Sequence, residues 1–216
     1  MLVEFASLFS EYRIQTIAYA GANVGATALA LDDAFQGLEL YLLEPVPEVF
    51  EVLVGNVGDR RNMHCLNVAA GAEDGWYEMF VDSHSTASSL LPLEPVALEE
   101  HPYLGKQTRA RVRVRPLDDV LTECGSGRID MLIMDVEGYE NEVIRGARRT
   151  LDSCRLVMSE LNVQPIHAGS STLDSVYPAL VREGFQLAYI LNPKIGESQR
   201  ILQVDGVFVR ESRTSL

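Results

Sequence analysis

The sequence predicts an α/β fold, doubly wound around a mostly parallel sheet, with an antiparallel hairpin at its carboxyl end. Three observations predict it. Strand-like apolar runs alternate with segments of helical spacing along most of the 216 residues. The run at 129–135 is almost continuously apolar, as a parallel strand covered on both faces must be. The last two runs, 185–191 and 203–210, are separated by a Pro/Gly-containing turn region at 192–198 that has no room for a helix, so they must pair antiparallel.

A single domain of residues 1–216 accommodates this pattern, because a chain of that length buries most of its apolar surface in one core. Hydrophobic residues at 47% and charged residues at 23% are ordinary for a globular protein and exclude a disordered chain. No apolar run approaches the roughly 20 residues of a membrane helix. The amino terminus carries glutamate rather than a basic leader, which argues against a signal peptide. A formal net charge of −13 argues against a nucleic-acid partner, since phosphate neutralisation needs clustered Lys and Arg. Cys65, Cys124 and Cys154 are odd in number and lack CxxC spacing, so reduced, buried thiols and a cytoplasmic location are expected. Oligomeric state leaves no signature in the chain.

Residues 1–13 place Leu2, Phe5, Leu8 and Phe9 at helical spacing, predicting an N-terminal helix laid against the domain. The first strand, 14–20, stops at Gly21-Ala22-Asn23-Val24-Gly25. A turn of this kind aims backbone N–H groups and the positive end of a helix at an anionic ligand, and glycine lets that ligand approach the backbone. Helical spacing follows at Val24, Thr27, Ala28 and Leu31, then a second strand at 38–43 that ends on Glu44-Pro45. Val46, Val49, Phe50, Leu53 and Val57 mark the next helix. Residues 63–68 read as a third strand, and 76–81 as a further strand or hairpin arm after a turn at Gly75.

Residues 82–108 form a long stretch rich in Ser, Pro and Glu without periodicity, the expected substrate loop. Residues 109–115 then alternate strictly, with Arg109, Arg111, Arg113 and Arg115 on one face. Those arginines suit either an acidic substrate or a solvated edge strand protected from aggregation. A helix from Pro116, the buried strand at 129–135, a helix marked by Val143, Ile144, Ala147 and Leu151, a strand at 155–161 and a helix marked by Leu173, Val176, Tyr177 and Leu180 lead to the closing hairpin.

Several chemical groups converge on the carboxyl edge of this sheet, where open α/β folds bind ligands. Gly21, Asn23 and Gly25 form the turn, Glu44 ends the second strand, and Asp135 and Glu137 end the 129–135 strand. An acid about 20 residues beyond a glycine turn is placed to accept hydrogen bonds from ribose hydroxyls, so an adenosine-type cofactor is expected. An NAD-dependent oxidoreductase also fits a glycine turn with Glu44, but a G-x-G-x-x-G match is absent because Asn23 stands at the second glycine.

These residues resemble the FkbM-type S-adenosylmethionine-dependent methyltransferases over roughly residues 15–163. The resemblance rests on GANVG at 21–25, LLEPVPEVFEVLVGN at 42–56, NVAAGAEDG at 67–75, SSL at 88–90, VRPLDDVL at 114–121, IDMLIMDVEGYENEVIRGA at 129–147 and SEL at 159–161. It implies the class I methyltransferase (Rossmann-like) fold, with a seven-stranded sheet. It also implies S-adenosylmethionine as cofactor and O-methylation of a hydroxyl on a sugar, glycan or polyketide-like natural product. Gly21, Asn23 and Gly25 would hold the methionine side, Glu44 the ribose, and Asn67, Val68 and Ala69 would lie by the adenine. The chain departs from the family pattern at Tyr19, where an aspartate is usual, and at Ile133, where a lysine is usual. Those departures leave open a catalytically inactive binding module with the same fold.

Methyl transfer to a hydroxyl needs a positioned acceptor and a group that removes its proton. Asp135 is the first candidate, for the cofactor ammonium or the acceptor, and it would otherwise cap the following helix. Glu137 and Glu160 are the next candidates for a base. With Asp135 they offer three oxygen ligands that could hold Mg²⁺, a reading set below the base role. Glu137 would otherwise be an acid in a first helical turn. His167 is a further candidate base because imidazole titrates near neutral pH, and its alternative is a surface loop residue. Ser88 and Ser89 match the serine pair of the family and are the expected substrate contacts.

Overall fold

In the computed structural model the described residues are 9–82, 87–94, 106–196 and 199–210. The expected N-terminal helix therefore falls mainly outside them. Residues 9–11 are helical, and Phe9 is buried against the domain.

Seven strands form the main sheet in the order β3-β2-β1-β7-β8-β10-β9. They are β1 (Thr16–Ala20), β2 (Glu39–Leu43), β3 (Met63–Leu66), β7 (Met131–Met134), β8 (Leu156–Asn162), β9 (Phe185–Ile195) and β10 (Ile201–Arg210). The first five pair parallel, and β10 pairs antiparallel with both β8 and β9, as the short closing connection requires. The chain leaves β1 towards β2 on one side and meets β7 on the other, so a crevice opens between these strands at their carboxyl ends.

The helices are α1 (Ala26–Ala34), α2 (Pro47–Val57), α3 (Leu117–Glu123), α4 (Glu140–Gly146), α5 (Arg148–Ser153) and α6 (Leu173–Arg182). Proline at the first position of α2 sets the helical φ where no N–H is needed. A reciprocal Thr172–Ser175 capping box starts α6. All four residues of β7 are buried, because helices cover both faces of the sheet there. Leu132, Val157 and Phe208 belong to one core layer, and Ile17, Leu40 and Val207 to the other.

A second, three-stranded sheet differs from the expectation of one sheet alone. It is made of β4 (Ala69–Gly71), β5 (Gly75–Asp82) and β6 (Gln107–Pro116), in the order β4-β6-β5. Residues 69–71 leave the line of β3 and pair with the end of β6, so the expected single strand at 63–68 is shorter and has a separate continuation. The arginine face of β6 is largely neutralised. Arg109 pairs with Glu78 and Arg113 with Asp74, while Arg115 pairs with Glu123. Arg111 stacks over Trp76 at 5.2 Å. Of the two readings of this face, attraction of an acidic substrate loses its free charge to those acids, and the edge-strand reading is overturned because β6 is the middle strand of its sheet. At the other end of the chain, β9 runs to Ile195, so the expected turn at 192–198 begins later. Of the cysteines, Cys154 is buried, Cys65 is half-buried and Cys124 is exposed at the end of α3, which corrects the expectation of three buried thiols.

Candidate active site

The glycine turn forms one wall of a cavity over the carboxyl ends of β1, β2 and β7. Gly21, Gly25 and Asn23 all have positive φ, at 85°, 83° and 49°, so the turn coils tightly and Gly25 opens α1. Gly21 and Ala22 donate their N–H groups to the Leu43 carbonyl at 3.0 and 2.9 Å, which ties the turn to β2.

Glu44 follows directly. It is 6% exposed, accepts the Val46 N–H on Oε1 at 2.9 Å and the Asn23 N–H on Oε2 at 3.1 Å, and lines the cavity. Burial pushes its carboxyl up to about 7, and the two backbone hydrogen bonds offset only part of that. Asn67 supports the same corner by donating to the Glu44 and Pro45 carbonyls at 2.9 and 3.1 Å. Ala69 and Ala70 line the cavity there, whereas Asn67 and Val68 do not. Asn67 therefore shapes the expected adenine corner from outside it, and Val68 is packed into the core.

Tyr19, Asp135, Val136 and Glu137 close the other end. Asp135 donates its N–H to the Ala20 carbonyl at 3.0 Å, which holds the ends of β7 and β1 together. The helix that follows starts at Glu140 with Tyr139 as its cap, so neither Asp135 nor Glu137 is a helix-terminus acid. Both of those structural alternatives are overturned. Glu137 and Gly138 have φ of 49° and 95°, and this left-handed pair turns the Glu137 side chain back to the cavity.

One ligand oxygen from each of Asp135, Glu137 and Glu160 lies within 4.8 Å of the others. Burial, then the repulsion of Glu160, holds the Asp135 and Glu137 carboxyls well above the usual range. Burial also raises Glu160, against the pull of Lys194. Glu140, an acid singled out by no motif, lies beneath them and accepts the Gly138 N–H at 3.1 Å, its carboxyl raised by burial to about 8. Groups of this kind can take a proton near neutral pH.

The remaining candidates divide. Ser88 lines the cavity. Ser89 is fully buried, donates its hydroxyl to the Glu137 carbonyl at 2.8 Å and accepts the Leu91 N–H at 3.1 Å, so it anchors the loop beneath Glu137. Residues 83–86 and 95–105 of the expected substrate loop lie outside the described residues. His167 is 0% exposed, bridges to Leu93, and does not reach the cavity wall. Burial pushes its imidazole down to about 4. Both the general-base reading and the surface-loop reading of His167 are thereby corrected. Sequence reasoning also missed Ala70, Met79, Leu90 and Tyr139 on the cavity wall. Ala70, Leu90 and Tyr139 lie within the motifs at 67–75, 88–90 and 129–147, which is their sequence signal, and Met79 carries none.

The two departures from the family pattern turn out to be neighbours. Tyr19 and Ile133 are register partners across β1 and β7, and they are 5% and 4% exposed. Burial, with the Asp135 carboxylate adding, raises the Tyr19 phenol and keeps it neutral. An acid and a lysine at these rungs would face one another, so their joint replacement leaves no unpaired buried charge.

A sequence profile of the methyltransferase FkbM domain matches residues 20–187. The chain belongs to the FkbM methyltransferase family. It is 25% identical over 166 residues to the 2-O-methyltransferase NoeI of Sinorhizobium fredii (strain NBRC 101917 / NGR234), covering 74% of this chain and 68% of that protein. It is 30% identical over 153 residues to the methyltransferase sdnD of Sordaria araneosa, covering 59% of this chain and 58% of that protein. The fold matches Aeropyrum pernix fibrillarin in complex with natively bound S-adenosyl-L-methionine, with a TM-score of 0.53 at 17% identity over 90% of this chain and 66% of that one. This is the class I fold of S-adenosylmethionine-dependent methyltransferases, and S-adenosylmethionine is the cofactor of this FkbM methyltransferase. Among the described residues, no helix of the methyltransferase is long and apolar enough to cross a membrane.

Proposed function

We propose that this methyltransferase transfers the methyl group of S-adenosylmethionine to a hydroxyl of a sugar, glycan or polyketide-like natural product in the cytoplasm. The observation that carries the proposal is the carboxylate cluster in which Asp135 and Glu137 line the cavity away from Glu44 and Glu160 stands next to them, outside the cavity wall. Glu44 would hold the ribose and the turn at Gly21 the methionine portion, and S-adenosylmethionine would supply an electrophilic methyl to a hydroxyl held at Asp135 and Glu137. A hydroxyl held there loses its proton to Asp135 or Glu137 as its oxygen attacks the methyl carbon. The new C–O bond forms, the C–S electrons return to sulfur, and S-adenosylhomocysteine leaves. The name of NoeI supports oxygen as the acceptor atom. A net charge of −13 favours a neutral small molecule or glycan over a nucleic acid.

The test is transfer of a labelled methyl group to a panel of hydroxylated sugars, glycans and polyketides. Asp135→Asn and Glu137→Gln should be compared with wild type on any acceptor found. Loss of a general base lowers kcat by about 10²- to 10⁴-fold, and at least one variant should show that loss. Product methylated on nitrogen or carbon, or unchanged kcat in both variants, would overturn the assignment.

A further inference from the structure

Three partly buried carboxylates whose oxygens lie within 4.8 Å of one another repel one another unless a cation or shared protons offset the charge. Among the described residues, the cation paired with the cluster comes from the closing hairpin: Lys194 Nζ lies 3.2 Å from Glu160 Oε1. It is delivered by an irregular backbone. The β9–β10 ladder shifts register on both sides of Gln203, the partner of Lys194. Two residues earlier, Asn192 has φ of 47° and donates its amide to Asp205 Oδ2 at 2.7 Å. Asp205 is in turn the register partner of Glu160 on β8. Bulges of this kind re-aim a side chain beside a site, and here Lys194 is turned towards the sheet edge at Glu160. Burial pulls the Lys194 ammonium down, and Glu160, with Glu137 and Asp135, more than reverses it, so the side chain stays charged. On β7, Ile133 pairs with Met158, two rungs short of Glu160, and is apolar, so that strand supplies no cation to the cluster.

We propose that Lys194 is the resident cation of the Asp135–Glu137–Glu160 cluster, taking the place that a divalent metal would otherwise fill and fixing Glu160 beside the other two acids. For the hydroxyl transfer proposed above, on which this catalytic consequence rests, Lys194 is a positioning residue that acts through Glu160. Its side chain is 64% exposed, so substitution leaves the fold intact.

The test is Mn²⁺ binding, by electron paramagnetic resonance and calorimetry, to the full chain as wild type, Lys194→Arg, Lys194→Met and Lys194→Met with Glu160→Gln. Wild type and Lys194→Arg should take up Mn²⁺ only in the millimolar range. Lys194→Met should bind it at least about a hundredfold more tightly, because hard-cation affinity follows the uncompensated charge of the oxygen ligands. The added Glu160→Gln change should abolish the gain. Wild type binding Mn²⁺ as tightly as Lys194→Met, or no gain in Lys194→Met, would overturn the proposal. S-adenosylmethionine binding is measured on the same samples. Its absence in wild type would count against the cofactor site, while the Mn²⁺ series would still decide the role of Lys194.

Discussion

Glu44→Ala is expected to weaken S-adenosylmethionine binding by about 10²-fold, measured by calorimetry at pH 8. The size follows from hydrogen bonds between a charged acceptor and the ribose hydroxyls, each about 1.5–3 kcal/mol, with about 1.4 kcal/mol per tenfold change. The carboxylate also satisfies the Val46 and Asn23 N–H groups, so its loss loosens the turn that holds the methionine side.

The pH dependence sharpens this expectation. With its carboxyl raised to about 7, Glu44 is largely protonated at pH 6, and binding must first ionise it. The affinity of wild type should therefore rise about tenfold between pH 6 and pH 8, one pH unit below a pKa leaving about a tenth of the group ionised. Glu44→Gln should flatten that rise. In the protein without cofactor the sign reverses. The folded carboxyl holds its proton to a higher pH than the unfolded one, which has a value near 4.5, so Glu44 lowers stability as pH climbs from 4.5 to 7. At one pKa unit per 1.4 kcal/mol the loss is about 3 kcal/mol, complete above pH 7. Unchanged affinity in Glu44→Ala would remove Glu44 from the site.

Gly21→Ala is the second large effect. Gly21 has φ of 85°, and a Cβ there would overlap the carbonyl oxygen of Asp135 on the neighbouring strand. That oxygen belongs to backbone, and the neighbouring Asp135 N–H is bonded to the Ala20 carbonyl, so relief requires β1 and β7 to part. The cost combines about 1–3 kcal/mol of backbone strain with about 1–3 kcal/mol or more of overpacking. At about 2–4 °C per kcal/mol for a domain of this size, melting should fall by roughly 10 °C, with loss of cofactor binding. Gly37→Ala is the control. Gly37 has φ of 81° with nothing within 4 Å of its would-be Cβ, so it should show the strain alone. Equal effects of the two substitutions would mean that close approach at Gly21 contributes nothing.

The cofactor half of the site was legible because its chemistry is local. A strand, a glycine turn and an acid ending the next strand are contiguous patterns, and the parallel register of β1 with β2 and β7 then brings Gly21, Glu44 and Asp135 together. The acceptor half depends on non-local contacts. Nothing around His167 in the sequence says that the 163–170 segment packs on residues 92–94, through Glu94 N–H to the Ile166 carbonyl and Ala168 N–H to the Pro92 carbonyl. Nothing in the alternation of β6 announces that β5 places Glu78 against Arg109 and Trp76 beside Arg111 and Arg113. Lys194 was hidden for a different reason. Asn192-Pro193 reads in the sequence as the start of a turn, whereas in the structure it is the irregularity inside β9 that carries Lys194 to Glu160. The departures at Tyr19 and Ile133 were visible singly, and their meaning as a matched pair needed the register.

The most direct test of the account is a crystal structure of the chain with S-adenosylhomocysteine. The ribose hydroxyls should lie within hydrogen-bonding distance of Glu44, the adenine against Ala69 and Ala70, and the sulfur towards Asp135 and Glu137. A ligand seated elsewhere, or one in this cavity with its ribose away from Glu44, would contradict it.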